Sequence, residues 1–185
     1  MMDVEQERAL VPIQFDQDAR KVLRALYPKM TDTDESLFVM TCNRTLLDPF
    51  AKQIYAVWRY DTARRAEAMA IQVGIDGFRI QAERSHQYDS QIGPFWCGKD
   101  GVWVEAWSET HSPAACRVGV WRKGAREPIW GVATYQEYVQ TTREGEPNAM
   151  WRRMPATMLA KCAESLALRR ALPVELAGLY SEDEM

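Results

Sequence analysis

Two prolines bracket the strongest helical signal in the chain: Pro155 opens and Pro173 closes the run "PATMLAKCAESLALRRALP". Proline suits the first turn of a helix, where its missing N–H costs nothing, and it cannot continue one. Between them Met158, Leu159, Cys162 and Leu166 follow the 3-4-4 spacing of a single buried face, with Lys161 and Glu164 off that face. Such a helix must bury its stripe against another apolar layer. The runs "VWVEAW", "AACRVGVWR" and "IWGVATY" supply one. Their Trp and Val residues alternate and Gly or Pro separates them, which predicts an antiparallel meander of three strands.

The remaining elements follow the same logic. "FDQDARKVLRALYPKM" reads as a first helix, with Val22, Leu23, Leu26 and Tyr27 at helical spacing and Pro28 as its end. "TDTDESLFVMTCNRTLL" reads as a second, capped by Thr31 or Thr33, with Leu37, Phe38, Met40, Thr41 and Leu47 as its inner face. "KQIYAVWRY" alternates as a strand, and the polar "TARRAEA" turns it into a hairpin without the Gly of a tight turn. A return strand runs into Gly74, Asp76-Gly77 starts a helix with Phe78, Ile80 and Ala82, "YQEYVQT" forms a helical turn and "TREGEPNA" a loop. The expected class is therefore α+β: a small antiparallel β-sheet (hairpin plus three-stranded meander) packed with helices in a single domain. Residues 1–14 are expected to be a flexible segment and residues 15–185 the domain. With 185 residues, 46% of them hydrophobic, and seven Trp, a real core is affordable. No apolar run is long enough for a membrane span, and "MMDVEQERALVPI" lacks a signal-peptide core. Cys42, Cys97, Cys116 and Cys162 are scattered, which fits a reducing, cytoplasmic setting.

Charge is distributed unevenly. The chain carries a formal −3, yet residues 151–180 hold five bases against two acids. Arg169 and Arg170 fall in the last turn of the Pro155–Pro173 helix, where the dipole favours cations. Arg152 and Arg153 fall just before its start, where the dipole opposes them unless an anion joins. Glu144 or Glu146 on the preceding loop could serve. So could a phosphate, with Trp151 offering a stacking face to a base. Lys52, Arg59, Arg64 and Arg65 lie on or near the hairpin with Trp58 and Tyr60 interleaved, and Arg122 and Lys123 follow a strand. Cations and aromatics on a hairpin can clamp a polynucleotide, and they also fit an ordinary solvated tip.

Enzymatic signatures are absent. There is no P-loop and no GxSxG, and "VGIDGF" lacks the dinucleotide spacing. His86 and His111 are far apart, without the clustered ligands of a zinc site. Two alternatives stand beside nucleic-acid binding: a metal-dependent nuclease built from distant carboxylates, and a non-catalytic assembly protein docking an acidic partner.

Three stretches in order add a family resemblance. "LDPFAKQIYAV" (47–57), "VGIDGFRIQAER" (73–84) and "MWRRMPATMLAKCAESLALRRALP" followed by "LAGLYSEDE" resemble the signatures of the Bet/RecT phage recombination proteins, the single-strand annealing group. Trp121, Arg122 and Lys123 echo an aromatic-basic strand motif of that group. The likeness covers roughly residues 15–184 and is nearest the Bet branch. It implies ATP-independent binding of single-stranded DNA and strand annealing, with no cofactor and no catalysis. It implies homo-oligomers, as rings or helical filaments, and work beside a phage 5′-to-3′ exonuclease and a host single-strand binding protein. By position, Arg65, Lys161 and Arg169 match basic contacts, Trp151 a recurrent Trp, and Lys52 and Lys123 further basic positions. Arg152, Arg153 and Arg170 join them on charge. Cys162 and Thr141 stand where some relatives carry basic residues. Many relatives continue past the "SEDEM" position into a helical domain that recruits partners.

Overall fold

A computed structural model of the chain describes residues 13–181. The expected flexible segment 1–14, save its last two residues, and the tail acids Glu182, Asp183 and Glu184 lie outside the described residues. The chain divides into two compact units, residues 1–71 and 72–185. Six helices and two small sheets are found among the described residues.

In the first unit, α1 (Gln17–Leu26) and α2 (Asp32–Thr45) precede a hairpin of β1 (Ile54–Asp61) and β2 (Ala66–Val73), whose last two residues belong to the second unit. Local chemistry sets the helix starts. The Asp16 carboxylate accepts the Ala19 N–H at 2.8 Å, and Thr31 forms a capping box with Asp34. Leu23, Phe38, Cys42, Leu47 and Ile54 are fully buried, and Tyr27 meets Phe38 edge-on at 5.7 Å. The expected inner faces are only partly right: Val22, Leu26, Leu37 and Met40 are exposed. The inner side of α2 is built by Phe38, Val39 and Cys42 together with Glu35, which is buried and accepts hydrogen bonds from Arg20 and Arg24 on α1.

Burial pushes the Glu35 carboxyl up, and the hydrogen bonds from Arg20 and Arg24 outweigh it, so the group sits below its ordinary value. A carboxyl held low when folded contributes stability above the ordinary glutamate range, and that contribution is lost as pH falls through its folded value. Acid unfolding of this unit below about pH 4 is therefore expected to steepen because of Glu35. Glu35→Gln should flatten that dependence in pH-resolved thermal melts, and an unchanged slope would refute the assignment.

The second unit contains α3 (Ile75–Arg84), β3 (Tyr88–Cys97), β4 (Trp103–Val104), β5 (Ala115–Arg122), β6 (Ile129–Thr134), α4 (Tyr135–Tyr138), α5 (Ala149–Arg153) and α6 (Pro155–Ala171). The strands form one antiparallel sheet in the order β4-β3-β5-β6. This corrects the three-stranded meander. The segment "YDSQIGPFWC", not foreseen as a strand, lies between β4 and β5, and β4 shrinks to two residues. Gly93-Pro94 hides it, because proline lacks a ladder donor and breaks the alternation. The sheet absorbs the pair as an irregularity in register between Ile92 and Phe95.

Cys116, Val118, Val120 and Ala133 are buried on the face that α6 covers. Gly131 makes the approach possible: a Cβ there would sit 2.2 Å from the Ala163 carbonyl and 2.4 Å from the Ala167 nitrogen. The Trp96 indole donates to the Ala156 carbonyl at 2.9 Å. Glu164, expected off the buried face of its helix, is buried and takes a bidentate pair of hydrogen bonds from Arg79 on α3, both 2.7 Å. All four cysteines are buried, and burial pushes the Cys42 and Cys116 thiols up to about 12, which disfavours the reactive thiolate.

Candidate nucleic-acid interface

The hairpin turn is built without glycine. The Asp61 carboxylate accepts the N–H groups of Ala63 at 2.8 Å and Arg64 at 3.1 Å, closing the chain on itself. Arg65 then takes a left-handed φ of 51° to enter β2. Arg64 folds back on Asp61 at 3.5 Å, whereas Arg65 is exposed. Lys52, before β1, is likewise exposed with a left-handed φ of 59°. Left-handed backbone disfavours a side chain, so both cations occupy positions that glycine would fill more comfortably.

In the second unit "MWRRMPATMLAKCAESLALRRALP" is two helices, α5 and α6. The Asn148 side chain accepts the Met150 and Trp151 N–H groups, both at 3.0 Å, and starts α5. The residue before a proline is pushed out of helical backbone, and Met154 adopts φ −141°, ψ 59°. Arg152 and Arg153 therefore end the five-residue α5 and also stand just before α6, which starts at Pro155. This adds to the dipole reading: the carbonyl end of α5 favours them while the N-terminus of α6 opposes them. Neither Glu144 nor Glu146 pairs with them; the Glu144 carboxyl is held low by a hydrogen bond from the Thr142 side chain.

Trp151 is also corrected. Its exposure is 0%, and its ring packs edge-on against Tyr135 at 5.7 Å, leaving no face for a base. Its role is in the core, with an indole nitrogen that finds no hydrogen-bond partner among the described residues.

On α6 the candidate cations do not share one stripe. Lys161 and Arg170 are nine residues apart in sequence, which turns them about 180° from each other on an α-helix. Lys161 faces solvent. Arg170 donates to the Trp130 carbonyl of β6 at 2.8 Å, and Arg169 stacks over Tyr180 at 5.2 Å. Lys123, just past β5, is exposed.

What unites most of these cations is the lack of a carboxylate. Ion pairs among the described residues use Arg20, Lys21, Arg24, Lys29, Arg64 and Arg79. Lys52, Arg65, Lys123, Arg152, Arg153, Lys161 and Arg170 take part in none. These seven positive charges are not spent in ion pairs among the described residues, which leaves them available to an external polyanion.

Sequence reasoning missed Arg117 on β5. Its guanidinium lies 4.5 Å from the Trp103 ring centre, 4.8 Å from Trp130 and 5.5 Å from Phe95. The available signal was a lone arginine between Cys116 and Val118 in an otherwise apolar strand.

The model of the RecT family matches residues 14–185. No curated protein matches the chain.

Proposed function

The chain belongs to the RecT family, and from that premise we propose that it binds single-stranded DNA and anneals complementary strands without nucleotide hydrolysis. The family itself implies single-strand annealing in recombination and oligomerisation. The observation that carries the finer reading is uncompensated charge: seven candidate cations make no ion pair among the described residues of a chain whose formal charge is −3.

Annealing demands that a strand be held with its base edges free. Phosphate contacts from Lys and Arg achieve that, because they position the strand and read no sequence. Each subunit offers few such contacts, so useful affinity follows from many copies along one strand. Lys52, Arg65, Lys123, Arg152, Arg153, Lys161, Arg169 and Arg170 are the proposed contacts. Trp151 is not among them. Action in the cytoplasm of a bacterial host, beside a phage 5′-to-3′ exonuclease and the host single-strand binding protein, belongs to the same reading.

The left-handed backbone at Lys52 and Arg65 allows an unusually clean test. Lys52→Gly/Arg65→Gly removes two cations while relieving backbone strain, so the thermal midpoint should hold or rise. Affinity for a single-stranded oligonucleotide should fall on the order of tenfold, with the salt dependence shallower by about 0.7 per lost phosphate contact. Unchanged affinity would remove both residues from the interface. For the activity itself, fluorescence-quenching annealing of complementary oligonucleotides without ATP should be accelerated by the wild type. Duplex binding as tight as single-strand binding, with no acceleration, would refute the proposal.

A further inference from the structure

The sheet of the second unit has two faces, and α6 covers one. Register and two-residue alternation place Phe95, Arg117 and Val132 in one row on the other face, with Ile92, Gly119 and Trp130 in the next. Among the described residues this face stays partly open: Val132 is 44% exposed and Ile92 39%. Gly119 lets Trp130 lie close to the sheet, since a Cβ there would come within 3.2 Å of that ring and 2.9 Å of Ile92. Three rings then surround the Arg117 guanidinium, from β3, β4 and β6.

Arg117 is a cation held by rings with no anion. It makes no ion pair, and its buried Nε has no hydrogen-bond partner among the described residues. Rings fix the plane and position of a guanidinium without neutralising it. Along β5 the same side continues through Trp121 toward Lys123, about 20 Å from Arg117 at about 3.3 Å per residue. A caged, uncompensated cation with Trp121 on the way to a second one has the chemistry of a track for a single-stranded polynucleotide, with phosphates on the cations and bases against the aromatic side chains.

We propose that the open face of the β4-β3-β5-β6 sheet is a contact surface for single-stranded DNA, centred on Arg117 and its ring cage. This rests on the single-strand binding reading above and adds a site that reading does not contain. An apolar surface of a second copy would need no cation at its centre, and an acidic protein partner would need no row of rings.

The test uses the full chain and a single-stranded oligonucleotide carrying 5-bromodeoxyuridine. Irradiation should crosslink it to Trp103 or Trp130, located by mass spectrometry. Arg117→Gln should weaken binding about fivefold and flatten the salt dependence by about 0.7. Because Arg117 also fills the cage, the exposed Val132 supplies variants that leave the cage intact. Val132→Glu should weaken binding about threefold and Val132→Lys should tighten it, through charge alone. If the wild type binds single strands but no crosslink forms on this face and both Val132 variants bind as the wild type does, the proposal is overturned and the annealing reading stands. If these variants change the oligomer mass and not DNA affinity, the face belongs to a second copy, which also overturns it. Absence of single-strand binding by the wild type would overturn both readings.

Discussion

Valine in place of Gly131 is expected to abolish stable folding of residues 72–185. The reason is a backbone contact rather than a side-chain one. The added Cβ would fall 2.2 Å from the Ala163 carbonyl, and 2.4 Å and 2.9 Å from the Ala167 nitrogen and Cα. Side chains can rotate away from an intrusion, whereas the main chain of α6 can yield only by lifting the helix. That would expose Leu159, Cys162, Ala163 and Val118, which are now buried. Overpacking of a core costs about 1 to 3 kcal/mol when neighbours can adjust. Here they cannot, and a cost of at least about 4 kcal/mol is expected, a large part of a small protein's stability. Circular dichroism melts read the outcome: Gly131→Val should lack a cooperative transition or melt well below the wild type. A wild-type melt would mean that α6 does not rest on β6 at this point.

Removing the Glu164 carboxylate has the second largest expected effect. Glu164 is buried, and Arg79 reaches it with two hydrogen bonds of 2.7 Å, joining α3 to α6. Truncation to alanine leaves the guanidinium facing an apolar gap. Full burial of the orphaned charge would cost about 3 to 5 kcal/mol. Arg79 is half exposed and keeps Asp76 at 3.0 Å, so about 2 kcal/mol is the better figure. A double-mutant cycle separates pairing from packing. Arg79→Ala/Glu164→Ala should be less destabilised than the two single losses added together. Simple additivity would show that the pair contributes nothing beyond its separate contacts.

These expectations mark where local pattern and tertiary geometry part. The starts of α2 and α6 were legible because their signals are local: Thr31 caps within three residues of itself and Pro155 opens its helix. The stripe of Met158, Leu159 and Cys162 was legible because helical period is local too. β3 was not, because Gly93-Pro94 breaks its alternation and only pairing with β5 across the break restores a strand. The helix that ends at Arg152 and Arg153 was not legible because α5, five residues long, is too short to show a period. Trp151 was read as a stacking face because a lone Trp beside arginines looks alike whether its ring points in or out; its neighbour Tyr135 comes from a different element.

By itself, the sequence determined the α+β class, most helix limits, the hairpin, and a family resemblance that the RecT match over residues 14–185 bears out. All of these rest on spacing within a few residues or on ordered motifs along the chain. Only the tertiary structure decided which charges remain available. It consumed Glu35 and Glu164 in buried pairs, turned Lys161 and Arg170 to opposite sides of one helix, and left Arg117 among rings without an acid. The physical reason is that a charge's partner is chosen by distance in space, and residues 79 and 164, or 117 and 130, come together only when the sheet and α6 have packed.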